Sequence, residues 1–301
     1  MTEGSDRLDD REHYPTAALR RRREWRRSTG PLECEGTEGV ELTREFVEVR
    51  RDGRVVIVSL DRPKAHNALS GALADELADT FKEVANDDEA WVVLLRANGD
   101  KAFCVGADLK ERASFTLEDW HTNRKKIRGM FEAQRAVPQP VVAAPFGFAL
   151  GGGMELLLSA DVVVAATGTV LGLPEARVGL LPAGGGTQLL ARMVGLARAK
   201  ELILRGRRFT AEEGLAMGLV AQVVPADELD ATALEVARDI CKSSPVAVRQ
   251  AKRAMNAALG LAIEDGIEFE NDAWRVVVES EDRAEGIAAF NEKRDAEWNN
   301  R

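Results

Sequence analysis

From residue 46 onward the apolar positions change spacing in a regular way, and the changes mark out successive elements. "FVEV" and "RVVIVSL" are short runs rich in β-branched residues on either side of "RRDG", a turn signal, so a hairpin is predicted. Leu69, Leu73, Leu77, Phe81 and Val84 then fall at helical spacing, and Ser70 stands where an N-cap belongs. "WVVLLRA" follows as a continuous buried strand. A polar helix is predicted over residues 117–136, stopping before Pro138. Next come a strand "VVAA", a helix "GGMELLLSA", a strand "DVVVAA", a capped helix "TAEEGLAMG" and a strand "LVAQVV". Strands alternating with helices in this way predict an α/β fold.

From Asp227 the pattern becomes wholly helical, in "SPVAVRQAKRAMNAAL", "AIEDGIEFENDAWRVVV" and "SEDRAEGIAAFNEKR". The opening of the chain has no such periodicity. It runs from polar and acidic through "ALRRRREWRRSTG" to polar and acidic again, which predicts disorder with a short helix near residues 17–27. The organisation expected is therefore a tail at 1–44, a catalytic core at 45–226 and a helical subdomain for packing and assembly at 227–301. There is no repeat of the solenoid kind.

Composition narrows the chemistry. The chain has 301 residues, a net charge of −9 and 45% hydrophobic residues, which argues against a general binder of nucleic acid or membrane surfaces. No apolar run approaches the length of a membrane span. The basic stretch lacks an apolar segment after it, and the acids Glu3, Asp6, Asp9, Asp10 and Glu12 are foreign to a transit peptide. Cys34, Cys104 and Cys241 make no paired spacing, so neither a disulfide framework nor a zinc site is expected, and a cytoplasmic location is. With three histidines and no G-x-S-x-G elbow, acid–base work falls to carboxylates.

Two carboxylates stand out. In "ALGGGMELLL" three glycines lead into Glu155, which is followed by three leucines. In "LGLPEARVGLLPAGGGTQ" Glu175 is again a lone acid in apolar surroundings. Such settings raise a carboxyl pKa toward neutrality, and two such groups can share a water. The competing reading is that each acid caps a helix or pairs with an arginine, Arg177 being near. Glycines at a helix start leave main-chain N–H groups open to a ligand. In "KAFCVGADLKER" the step Gly106–Ala107–Asp108 reads as a sharp turn into a helix, which Asp108 can also simply cap. Neither glycine cluster fits a nucleotide cradle.

Together these stretches resemble the enoyl-CoA hydratase/isomerase (crotonase) family, from about Phe46 to the last helix. "LDRPKAHNALS" resembles its first coenzyme A segment, and "AFCVGADLKE" and "ALGGGMEL" its two oxyanion-hole loops. "GLPEARVGLLPAGGGTQLLAR" resembles the segment with the second acid, and "SEDRAEGIAAFNEKR" the C-terminal signature. "GADLKER" and "EDRAEGIAAFNEKR" look most like the methylglutaconyl-CoA hydratase branch. Val105 and Phe146 depart from the usual pattern, Phe146 upstream of the donor.

The resemblance implies a spiral of ββα turns, a helical C-terminal subdomain, and trimers or hexamers. It implies an acyl-CoA substrate, with no metal or other cofactor. Ala107 and Gly152 would supply oxyanion-hole N–H groups, and Glu155 and Glu175 would be the two acids. Lys64, Ala65, Ala107, Asp108, Leu109, Lys110 and Gly152 would lie along the coenzyme. Trp120 and His121 would edge the acyl pocket.

Two alternatives remain at this level. A family isomerase needs only one acid, so the pair favours a hydratase. "LRRRREWRR", with Trp25 among the arginines, has the makings of a nucleic-acid grip, against which stand its acidic flanks and the net negative charge.

Overall fold

Strands β1 (Val47–Asp52) and β2 (Val55–Leu60) pair antiparallel at the start of the structure, a computed structural model that describes residues 44–301. The arginine-rich stretch and the helix expected at 17–27 lie outside the described residues. The hairpin turns at Gly53 and Arg54, later than "RRDG" suggests, because Arg50, Arg51 and Asp52 stay in register with Ile57, Val56 and Val55. Gly53, at φ 55°, takes the left-handed corner.

Helix α1 (Gly71–Ala85) starts where Ser70 accepts from the Leu73 N–H, and it buries Leu73, Leu77, Phe81 and Val84. The side chains reaching zero exposure, Phe81 and Leu77 among them, each contribute about 1.5–3 kcal/mol of burial. Strand β3 (Val92–Ala97) lies parallel to β2. After a four-residue helix α2 (Leu109–Arg112) comes α3 (Leu117–Ala136), opened by a reciprocal Thr116–Asp119 capping box and packed on α1.

The next turns repeat one plan, a strand to each of two sheets and then a helix. Strand β4 (Val141–Ala143) leads to β5 (Phe148–Leu150) and α4 (Gly152–Leu158). Strand β6 (Val162–Ala166) leads to β7 (Val170–Gly172) and, after a 3-10 turn at Glu175–Val178, to α5 (Gly186–Val194). Helix α6 (Leu196–Leu204), β8 (Arg208–Thr210), α7 (Ala211–Ala216) and β9 (Gln222–Val224) complete the series.

The large sheet has the order β1-β2-β3-β4-β6-β9, parallel after its first pair, and the small one the order β5-β7-β8. Single bridges Leu69–Ala107 and Cys104–Ala149 extend this second layer back through the earlier turns. This is the spiral of ββα turns that the sequence resemblance implies.

One face of the large sheet packs on α1 and α3 through Val56, Val58, Val93 and Leu95. The other face, with Val55, Val92, Leu94 and Val142, is covered by Leu229, Ala233 and Ala237 of α8 (Leu229–Ile240). Then follow α9 (Pro245–Ala257), α10 (Ile263–Val278) and α11 (Glu281–Glu292). Buried Lys252 of α9 ties this part to the core, donating to the Gln139 carbonyl at 2.8 Å and pairing with Asp161 at 2.6 Å. Among the described residues no helix is long and apolar enough to cross a membrane.

Candidate active site

The spiral brings three separated stretches to one opening. The residues around Cys104 run parallel to those around Ala149: the Cys104 N–H donates to Phe148 at 3.1 Å, and Leu150 donates back to the Cys104 carbonyl at 2.9 Å. On its other side, Leu69 donates to the Gly106 carbonyl and Asp108 to the Leu69 carbonyl. Those bonds fix the peptide between Gly106 and Ala107 while leaving the Ala107 N–H free of any acceptor among the described residues.

The Gly152 N–H, at the first position of α4, is likewise uncommitted. The two loops touch through bare main chain, since a Cβ on Gly106 would lie 2.8 Å from the Leu150 carbonyl oxygen and 3.2 Å from the Gly152 nitrogen. At φ +90° that position also favours glycine.

These amides border a cavity of about 1100 Å³ whose lining includes Ala107, Gly152, Glu155 and Glu175. Glu155 is 4% exposed. Its Oε1 accepts from the N–H groups of Gly184 at 2.6 Å and Gly186 at 2.8 Å, at the start of α5. Helix capping and a place at the cavity thus coincide in one side chain. Burial raises its pKa overall, against a partial opposing pull from the N–H groups of Gly186 and Gly184 and the charge of Arg124.

Glu175 is different. It enters the cavity from the 3-10 turn, and its buried Oε2 has no hydrogen-bond partner. Burial pushes the carboxyl up to about 7, with the neighbouring Glu155 charge adding to the effect. Gly151 makes room for it, because a Cβ there would lie 3.2 Å from Glu175 Oε1. Arg177 does not neutralise it: the Arg177 Nε donates to the carbonyls of Arg205 and Gly206. One acid is therefore well solvated by amides and the other is poised to keep its proton near neutral pH.

Leu109 also lines the cavity, whereas Lys64, Ala65, Asp108 and Lys110 do not. Asp108 caps α2 through the N–H groups of Lys110 and Glu111 and pairs with Arg62 at 3.1 Å. Lys64 lies in an exposed 3-10 turn (Pro63–Ala65) just before the cavity-lining His66. Trp120 edges the cavity, held by an edge-on contact with Phe115 and by Arg112 over its face; His121, exposed on α3, is not part of the lining. Cys104 is fully buried, its thiol pushed up to about 12 by burial, and has no place in the chemistry.

Sequence reasoning passed over Arg112, Arg124, Lys101 and Arg208 in the lining. Their charges gave no local signal, since a lone lysine or arginine among polar residues reads as solvated. No cluster of metal-ligating side chains occurs among the described residues.

A profile of the family described as Enoyl-CoA hydratase/isomerase matches residues 50–301. The chain is 37% identical over 258 residues to the short-chain-enoyl-CoA hydratase of Clostridium acetobutylicum, covering 86% of this chain and 98% of that one. It is 39% identical over 247 residues to the human enoyl-CoA hydratase domain-containing protein 2, mitochondrial, covering 81% and 85%. A crystal structure of enoyl-CoA hydratase from Bacillus anthracis superposes with a TM-score of 0.83 at 41% identity, covering 85% of this chain and all of that one. With two free amides and two carboxyls at one cavity, and with matches that span the whole spiral, the chain belongs to the enoyl-CoA hydratase/isomerase family.

Proposed function

We propose that this protein is an enoyl-CoA hydratase that adds water reversibly across the 2,3 double bond of a 2-enoyl-CoA thioester. The observation that carries this reading is the convergence of two buried acids, Glu155 held by two main-chain N–H groups and Glu175 with an unpartnered Oε2, on the cavity bordered by the free Ala107 and Gly152 amides. The Glu155 carboxylate accepts a proton from water as the water oxygen bonds to C3. The Glu175 carboxylic acid delivers its proton to C2. Negative charge that builds on the thioester oxygen between these events falls on the two N–H groups, and a single such donor is worth about 3 kcal/mol. No step calls for a further cofactor.

Purified protein given crotonyl-CoA is expected to bleach the ultraviolet absorbance of the conjugated thioester and yield the 3-hydroxyacyl product. The same assay on a 3-enoyl-CoA separates the isomerase alternative: conversion of that substrate alone would overturn the hydratase reading. The rate is expected to fall as pH rises past about 7, because Glu175 must carry its proton to donate it, and its carboxyl titrates there.

The residues at 227–301 are assigned to assembly. Ile263 (71% exposed), Trp274 (61%) and Phe290 (85%) leave large apolar surfaces on α10 and α11. Light scattering is expected to give the mass of three or six chains; a monomer would refute the assignment. A cytoplasmic location agrees with Cys104 and Cys241 being free thiols.

A further inference from the structure

Four of the five lysines and arginines on α3 divide into two kinds. Lys126 and Arg128 pair at the surface with Asp75 and Glu132. Arg124 and Arg135 turn to main-chain oxygens instead: Arg124 Nη2 donates to the Ala183 carbonyl at 2.7 Å, and Arg135 Nη1 to the Gly184 carbonyl at 2.8 Å. The Ala183 carbonyl and the Gly184 N–H belong to the same peptide unit, and that N–H is the 2.6 Å donor to Glu155. In a trans peptide the two groups point in opposite directions along one rigid plane. A guanidinium on the carbonyl therefore orients the N–H toward the carboxylate and, by polarising the amide, strengthens it as a donor. Arg135 holds the next peptide unit in the same way.

We propose that Arg124, supported by Arg135, is a positioning residue that acts on Glu155 through the Ala183–Gly184 peptide. The inference rests on the hydratase reading above. The charged groups facing Glu155 are Arg124 and Arg135 from α3 and Glu175 from the 3-10 turn. Of these, Glu175 governs the alkaline side of the rate profile, and Glu155, which must be ionised to accept a proton, governs the acidic side.

The test is a pair of pH–rate profiles on crotonyl-CoA for Arg124→Met and Arg124→Lys, with kcat and KM separated. A weakened donor stabilises the Glu155 carboxylate less, so its pKa rises. Arg124→Met is expected to lower kcat about tenfold, as for one hydrogen bond to a charged group. It is expected to move the acidic limb to higher pH and leave the alkaline limb unchanged. Arg124→Lys is expected to recover most of the loss. Should Arg124→Met fail to fold, Arg135→Met carries the same test with a smaller shift. An unmoved acidic limb, or a loss confined to KM, overturns the proposal while leaving the hydratase reading intact. Wild-type protein that hydrates no 2-enoyl-CoA overturns both.

Discussion

Replacing Glu155 or Glu175 with glutamine is expected to slow the hydration of crotonyl-CoA by about 10²–10⁴-fold each, the usual worth of a general acid or base. The fold is expected to survive in both cases, for different reasons. At position 155 a glutamine carbonyl still accepts the Gly184 and Gly186 N–H groups that now bind Oε1, so the start of α5 keeps its cap. At position 175 the carboxyl is a burden on the folded state, since its Oε2 is buried without a partner.

The sign of that burden follows from the pKa, raised from 4.5 to about 7 by burial. The folded chain holds this proton more tightly than the unfolded one. Its stabilising contribution is full below 4.5 and is lost as pH rises through 7. Glu175→Gln removes the titration and is expected to melt above wild type at pH 8, with the gap narrowing toward pH 5. A thermal-melt series paired with initial rates checks both halves. Near-normal rates in both variants would end the two-acid mechanism, and a lower melting point for Glu175→Gln at pH 8 would mean that the carboxylate has a partner.

Legibility in the sequence tracked the length over which a periodic pattern runs. Helix α1 carries several turns of apolar spacing behind a capping serine, α3 is a long polar stretch ended by Pro138, and the chain folds at both as read. Strands β5, β7 and β8 have three residues apiece, too few for any alternation to show, and they exist because the spiral supplies their partners. The "GADLKER" turn was visible from its glycine and aspartate, yet its helix is only four residues long.

At the site, the two acids were legible because each breaks a local rule against lone carboxylates in apolar runs. That Glu155 also caps α5 was not, because Gly184 and Gly186 lie about thirty residues downstream and nothing near Glu155 signals them. The arginines of the lining were hidden for the same reason: Arg124 meets Ala183 across 59 positions of chain.

Gly153→Ala is expected to cost both stability and rate. The added Cβ would sit 2.2 Å from the Cys104 carbonyl oxygen and 2.9 Å from that residue's carbonyl carbon and Cβ. Neither side can yield cheaply. Gly153 lies in the first turn of α4, and the Cys104 carbonyl is engaged by the Leu150 N–H at 2.9 Å. Relief comes only by driving apart the two segments that carry the Ala107 and Gly152 amides.

Overpacking of this kind costs about 1–3 kcal/mol, and a displacement of about 1 Å at a reacting centre can cost about 10²-fold in rate. The variant is therefore expected to melt several degrees lower and to lose hydration rate out of proportion to its stability. Gly129→Ala is the control. It lies within α3 with nothing inside 4 Å of an added Cβ, so it is expected to raise stability by about 0.5–1 kcal/mol and leave the rate alone. If Gly153→Ala matches wild type in both melting point and kcat, the two loops are not held in register by direct main-chain contact, and the placement of the oxyanion donors loses its physical basis.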